Sequence, residues 1–240
     1  MSDTGVWSAV HAVDWAAVPG PAGWYEPEEA ASGLRKLAVA TTLVQVTAAV
    51  GRLENGGLCH GHSAAVFPAA AVAAPVLLEI VGHAGPRAKA AALELLESGL
   101  RYDPHAGYAR IDTAEVARVP VCCAIAEHIR ERRDLLTGCG QAGRRLLAEA
   151  GAHWRFQVGE LFSEANDVMA FGTAGGIVPR DHFPAEVHVA DRITASADAI
   201  AEYPLDVDTR EGVLRLIGMG LDRIRTGAVL YSAECGARVH

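Results

Sequence analysis

Stretches with the apolar spacing of an amphipathic helix recur in pairs, about every forty residues, up to residue 150 of this chain. The clearest stretch has apolar residues three or four positions apart, at Leu43, Val46, Val50 and Leu53. A helix of this kind cannot bury its apolar face alone, so each pair must pack against the next. The pattern therefore predicts a mainly α fold, a superhelix of stacked helix pairs.

One segment of this region has a recognisable order of residue types. Residues 60–81 read HGHSAAVFPAAAVAAPVLLEIV, with a histidine, a turn of small residues, an aromatic residue and then an alanine-rich helix. This segment resembles the first helix of a repeat in a bacterial HEAT-like α-solenoid family. Residues 85–96 look like the second helix of that repeat, and the stretch at Val119 and Pro120 looks like the next first helix.

The resemblance covers about residues 25–150 and implies a HEAT-like α-α superhelix. Most members of that family are protein-binding scaffolds, and some are immunity-like proteins. We accordingly divide the chain into an N-terminal cap (1–25), HEAT-like helical repeats (26–150), and an irregular C-terminal segment with capping helices (151–240). No linker separates these parts, so we expect them to belong to one globular unit.

The spacing of apolar and polar residues changes after residue 151. Apolar residues alternate with polar ones at Trp154, Phe156 and Val158. Alternation of this kind is typical of a strand, so we predict a small β element near 153–190, with a further short strand at 187–189. Helical character is predicted at 190–202, and a capping-box spacing at 208–211 predicts a helix that continues to Ile224.

The charge of the chain limits its partners. Asp and Glu number 29 against 21 Lys and Arg, so the formal net charge is -8. Nucleic-acid binding depends on Lys and Arg that neutralise phosphates, so we do not expect it here. An acidic surface favours a cationic protein or a small molecule. No apolar run is long enough to cross a membrane and no secretion signal is present, which predicts a cytoplasmic protein.

The densest group of potential metal ligands is Cys59, His60 and His62. Thiolate and imidazole donors suit a transition metal, but a tetrahedral site needs ligands from a second segment. Folding could bring these from His83, His105, Cys122, Cys123 and His128. The alternative is that His60 braces the turn into the next helix and that the five cysteines are buried structural thiols. We favour that alternative, which requires no cofactor, and keep a transition metal as the second hypothesis.

Candidates for acid–base chemistry are scattered along the chain: His60, His62, Glu160, Asp181 and His182. Imidazoles and carboxylates transfer protons readily, and loops often carry such groups. Cys59, Cys139 and Cys235 are candidate nucleophiles, although their spacing selects no partner base. Residues 138–143 match a dinucleotide-binding fingerprint, but a charged helical stretch precedes them where a strand is required, so we expect no nucleotide cofactor.

Two functional hypotheses follow from these observations. The first is a scaffold that binds a protein, such as a basic toxin or effector, through an acidic concave face, as an immunity protein does. The second is a small-molecule enzyme of the lyase, cyclase or hydrolase type, with a pocket lined by His, Asp and Glu side chains.

Overall fold

The computed structural model describes residues 4–190, 192–202 and 210–239. The helices are α1 (Thr4–His11), α2 (Pro27–Ala38), α3 (Leu43–Asn55), α4 (Pro68–His83), α5 (Pro86–Arg101), α6 (Val121–Glu131), α7 (Arg133–Thr137), α8 (Gly140–Ala152) and α9 (Ala233–Ala237). The short strands among them are β1 (Cys59–His60), β2 (Ala65–Val66), β3 (Asp103–Pro104), β4 (Arg110–Ile111) and β5 (Val119–Pro120). The longer strands follow, namely β6 (Arg155–Glu164), β7 (Asp167–Gly175), β8 (Phe183–Val189), β9 (Arg192–Ala201), β10 (Glu211–Ile217) and β11 (Val229–Ser232).

Helix α4 lies at the centre of the helical part. Its apolar side chains are buried on nearly every side, and it packs against α1, α2, α5 and α6. Pro68 occupies its first turn, where the missing N–H costs no intrahelical hydrogen bond. The alanine-rich helix predicted within residues 60–81 is confirmed as α4.

The predicted HEAT-like superhelix is wrong, and so is the mainly α fold class. In a solenoid each repeat contacts only its neighbours, whereas α4 here contacts helices from several pairs. Val119 and Pro120 form β5, and α6 begins only at Val121. Six strands close into a barrel after the helices, so the chain combines a helical part with a β barrel.

The barrel is formed by antiparallel pairs in the order β10-β7-β6-β11-β8-β9, and β10 pairs with β9 to close it. Only six strands enclose the interior, which is therefore narrow. Small side chains accordingly alternate inward along β9, at Ala195, Ala197 and Ala199. Larger ones, such as Phe156 and Leu214, fill the remaining space.

The predicted β element near 153–190 is confirmed at β6 and β8, but it is part of a larger structure. The helix predicted at 190–202 is wrong, because Arg192–Ala201 form β9. The predicted helix up to Ile224 is also wrong, since Glu211–Ile217 form β10 and Leu221–Arg223 form a short 3-10 turn. Asp208 and Thr209, the start of that predicted helix, lie outside the described residues.

The second part of the chain begins close to the predicted boundary at residue 151, since α8 ends at Ala152 and β6 begins at Arg155. The division of the chain into three parts itself stays a prediction. Within residues 4–190, 192–202 and 210–239, no helix combines the length and the apolar character needed to cross a bilayer.

Candidate metal centre

Three thiols and one imidazole meet where the helical part joins the barrel. The ligand atoms of Cys122, Cys123, His153 and Cys235 all lie within 4.8 Å of one another. All four side chains are buried, and the most exposed of them, His153, retains only 7% of its accessible surface. Such a concentration of soft donors in a dry interior is the arrangement of a closed metal site.

Three separate segments of the chain supply these donors. Cys122 and Cys123 lie in the first turn of α6, where unpaired backbone N–H groups give the helix a partial positive charge. His153 is the residue that ends α8, and Cys235 lies in α9, directly after the last barrel strand. The cluster therefore exists only when the helical part and the barrel are both folded and in contact.

The position of His153 is fixed by a partly buried cation. Arg130, on α6, donates from Nη1 to the backbone oxygens of Ala150 and His153, at 2.8 Å in each case. These carbonyls are at the C-terminal end of α8, where they have no partners within the helix. The imidazole Nδ1 of His153 then lies 3.3 Å from the Cys235 sulfur.

Helix α9 is held from the barrel side by an ion pair with two hydrogen bonds. Arg110 donates to both carboxylate oxygens of Glu186, at 2.8 and 2.6 Å, and to the carbonyl of Gly236 at 3.2 Å. Gly236 lies so close to the pair that a Cβ there would overlap the Glu186 carboxylate and the Arg110 guanidinium. Only glycine fits at this position, next to Cys235.

Arg238 holds the other end of α9 against the helical part. Its guanidinium donates to the backbone oxygens of Leu100, Arg101 and Tyr102, at 2.9, 2.6 and 2.8 Å. These oxygens belong to the C-terminal end of α5, whose last carbonyls have no helical partner. Cys235 is thus fixed by contacts to the barrel on one side and to α5 on the other.

The thiols of the cluster do not share their protons equally. Hydrogen bonds from Cys123 and Cys235 hold the pKa of Cys122 well below its ordinary value and outweigh the effect of burial. The hydrogen bond from Cys123 to Cys122 raises the pKa of Cys123. The hydrogen bond between Cys235 and Cys122 likewise raises the pKa of Cys235 to about 12. One thiolate, on Cys122, is therefore stabilised by two neighbouring thiols.

The donor set has a definite chemical preference. Three cysteines and one histidine form one of the common tetrahedral zinc sites, with no position left for water. Sulfur atoms about 2.3 Å from zinc lie about 3.8 Å apart in a tetrahedron, within the observed limit of 4.8 Å. An iron–sulfur cluster distributes its thiolates over several irons, which requires wider spacing.

The ligands proposed from the sequence lie elsewhere. Cys59 is buried, and burial together with Glu54 raises its pKa to about 12. His60 contacts the Trp24 ring edge at 5.0 Å between ring centres, and its Nδ1 lies 2.9 Å from the Ser63 hydroxyl. Ser63 lies in the segment that precedes α4. Its contact with His60 agrees with the interpretation that His60 stabilises the turn before this helix. Among the described residues, the one group of three or more side chains that could hold a metal ion is the buried cluster at Cys122.

The proposed acid–base residues are not brought together. Glu160 is exposed on β6, and Asp181 and His182 are exposed in the segment before β8. His60 and His62 lie beside each other, with ring centres 6.0 Å apart, in the helical part. Catalysis by any of these five residues stays a prediction.

Sequence reasoning found the centre only in part. Cys122 and Cys123 were named only among five residues that folding could bring to Cys59, and Cys235 only as one of three candidate nucleophiles. The structure places all three beside His153. His153 was missed. The available signal was the adjacent pair of cysteines that follows Pro120 and Val121. Two sulfurs at the start of a helix lie close to its positive end.

No protein family, curated protein or solved structure matches this chain. The predicted membership of the HEAT-like repeat family is therefore wrong on two grounds, since no family matches and the fold contains a closed barrel.

Proposed function

We propose that this protein binds one zinc ion through Cys122, Cys123, His153 and Cys235, and that the ion fastens the barrel to the helical part. The single observation that carries the proposal is the meeting of four buried donor atoms within 4.8 Å. Three sulfurs and one nitrogen in a closed tetrahedral site are a donor set that ordinarily binds zinc.

The position of the ligands supports a structural role. Two belong to α6, one follows α8, and one belongs to α9 beyond the last barrel strand. A bound ion links segments of chain that are far apart in sequence, so its binding free energy adds to the stability of the folded state. For structural zinc that free energy is on the order of 10 kcal/mol.

The surroundings of the ligands support the same role. Arg130, Arg110 and Arg238 fix the backbone on either side of His153 and Cys235 through hydrogen bonds of 3.2 Å or less. Outer contacts of this kind hold ligands in position and are a usual part of metal sites.

Elemental analysis of the purified chain tests the proposal. The protein is expressed with zinc in the medium, dialysed against metal-free buffer and measured for metal per chain. We expect one zinc per chain in the wild type, and a large loss in Cys122→Ser, Cys235→Ser and His153→Asn. Cys139→Ser is the matched control, because Cys139 lies outside the cluster, and it should keep its zinc.

Ligand variants can unfold, so a second measurement uses the wild-type chain alone. The metal is removed with a chelator and cobalt(II) is added. Cobalt in a site with three thiolates gives strong visible bands and a sulfur-to-metal charge-transfer band. A wild-type chain that contains no metal and gives no such bands with cobalt would overturn the proposal.

A further inference from the structure

A cleft of about 340 Å³ opens beside the metal centre, between α4, α6, residues 111–115 and the barrel. This volume lies in the range of small-molecule sites. Ala71, Val72 and Ala124 form apolar walls, and Tyr231 of β11 lies against them. The cleft has no part in the proposed zinc site, although Ala124 directly follows the ligand Cys123.

Tyr231 is the feature that indicates a ligand. The residue is 2% exposed, and its ring packs edge-on against His188 with centres 5.0 Å apart. Within the described part of the chain, every fully enclosed side-chain nitrogen or oxygen has a hydrogen-bond partner. The Tyr231 hydroxyl has none among those residues, and this nearly buried residue lines the cleft.

The charges around the cleft select a cation. Four carboxylates line it, those of Asp112, Glu115, Glu127 and Glu131, against the single guanidinium of Arg155. Arg155 is already paired with Glu127, and its Nη1 lies 3.5 Å from Glu115. The remaining negative charge repels an anion and attracts a positive ligand.

The geometry distinguishes an organic cation from a metal ion. A metal ion requires several oxygens to converge on one point. In the described residues the only group of at least three converging ligands is the thiol cluster, so the carboxylates here surround the cleft without meeting. Apolar walls between charged groups suit methylene groups that carry ammonium ends.

We propose that this cleft binds a small aliphatic amine in its ammonium form. The Tyr231 hydroxyl accepts a hydrogen bond from one ammonium group, and Glu115 and Glu131 at the rim face the positive charge. The alkyl part of the ligand lies along Ala71, Val72 and Ala124.

Isothermal titration calorimetry with putrescine tests this proposal, and 1,4-butanediol serves as the neutral probe of the same shape. We expect putrescine to bind and butanediol to bind at least about tenfold more weakly, because an ammonium gains charged hydrogen bonds that a hydroxyl cannot. Binding should weaken as salt is raised.

Two variants test the contacts. Tyr231→Phe keeps the buried ring and removes the hydroxyl, and Glu131→Gln removes one rim charge. Each should weaken putrescine binding about three- to tenfold. Glu28→Gln, an exposed change on α2, removes the same charge far from the cleft and should leave binding unchanged.

Metal content and circular dichroism, measured on the same samples, show whether the variants are folded. Absence of putrescine binding to the folded wild type would overturn the proposal, as would equal binding of butanediol. Equal affinity in the wild type, Tyr231→Phe and Glu131→Gln would also overturn it. None of these results bears on the zinc site, which elemental analysis tests separately.

Discussion

The Nδ1 of His153 lies 3.3 Å from the sulfur of Cys235, although 82 positions separate the two residues. His153 ends the last helix before the barrel, and Cys235 follows the last strand of the barrel. The whole barrel is inserted between them in sequence. Their contact, and the centre around it, therefore depend on how α9 returns to the helical part.

The first prediction concerns the cap that Arg238 places on α5. Arg238→Ala removes hydrogen bonds to three helix-end carbonyls and an ion pair with Asp103. We expect a loss of about 2–3 kcal/mol in the free energy of unfolding, measured by urea denaturation. Arg225→Ala, at an exposed arginine, is the control and should change it by less than about 0.5 kcal/mol. Equal losses in both variants would show that the cap contributes nothing.

The second prediction concerns the close approach at Gly236. Gly236→Ala forces a methyl group into the Arg110–Glu186 pair and should cost about 1–3 kcal/mol of stability. Because α9 must shift, zinc content should also fall. Gly51→Ala, in α3 with open space around it, should be neutral or stabilising by up to about 1 kcal/mol. A stable Gly236→Ala protein with full zinc content would contradict the prediction.

The third prediction is a dependence of stability on pH. Burial alone would raise the pKa of Glu186, but hydrogen bonds from His188 and Arg110 outweigh burial and lower it below its ordinary value of 4.5. Because the pKa of Glu186 is lower in the folded state, its ionised carboxylate adds to the free energy of unfolding above pH 4.5. This contribution is lost as the pH falls through the pKa that Glu186 has in the folded protein.

Glu186→Gln tests this dependence. At pH 7 the variant should be less stable than the wild type by about 2 kcal/mol, because Arg110 loses its charged partner. The difference should shrink as the pH falls below 4.5, since the wild-type carboxyl is then protonated too. Both chains lose metal in acid, so their difference isolates Glu186. A constant difference between pH 7 and pH 3.5, measured by urea denaturation, would contradict the assignment.

The fourth prediction separates two cysteines by their reactivity. Burial raises the pKa of Cys59 to about 12, so its thiol should resist alkylation in the native protein at pH 8. Cys139 is partly exposed and should be alkylated first. Mass spectrometry of peptides after brief treatment with iodoacetamide measures both. Rapid labelling of Cys59 would support its predicted role as a nucleophile.

The helical half of the fold was largely predictable. Apolar residues at steps of three and four mark α3 and α5, and Pro68 and Pro86 stand at helix starts. How the helices pack was not predictable from that period. A superhelix and a cluster around a buried α4 use the same amphipathic helices, and only long-range contacts distinguish them.

The barrel was mostly missed because its inward residues are small. Ala195, Ala197 and Ala199 alternate inward along β9, but alanine has the highest helix propensity and its small apolar surface gives a weak strand pattern. The narrow interior favours alanine for its size, and this tertiary constraint outweighs the local preference. Where larger residues alternate, at Trp154, Phe156 and Val158, the strand was predicted.

The functional predictions divide in the same way. Local density drew attention to Cys59, His60 and His62, which form no metal cluster, whereas the centre joins residues from 122 to 235. Spacing along the chain carries no information on such distant contacts. The expected protein partner, a basic toxin or effector, stays a prediction.

X-ray absorption at the zinc edge of the purified wild-type protein tests the central claim most directly, because it reports the atoms bound to the metal. The account predicts three sulfurs at about 2.3 Å and one nitrogen at about 2.0 Å. A coordination shell of oxygen and nitrogen without sulfur, or a chain purified without zinc, would contradict it.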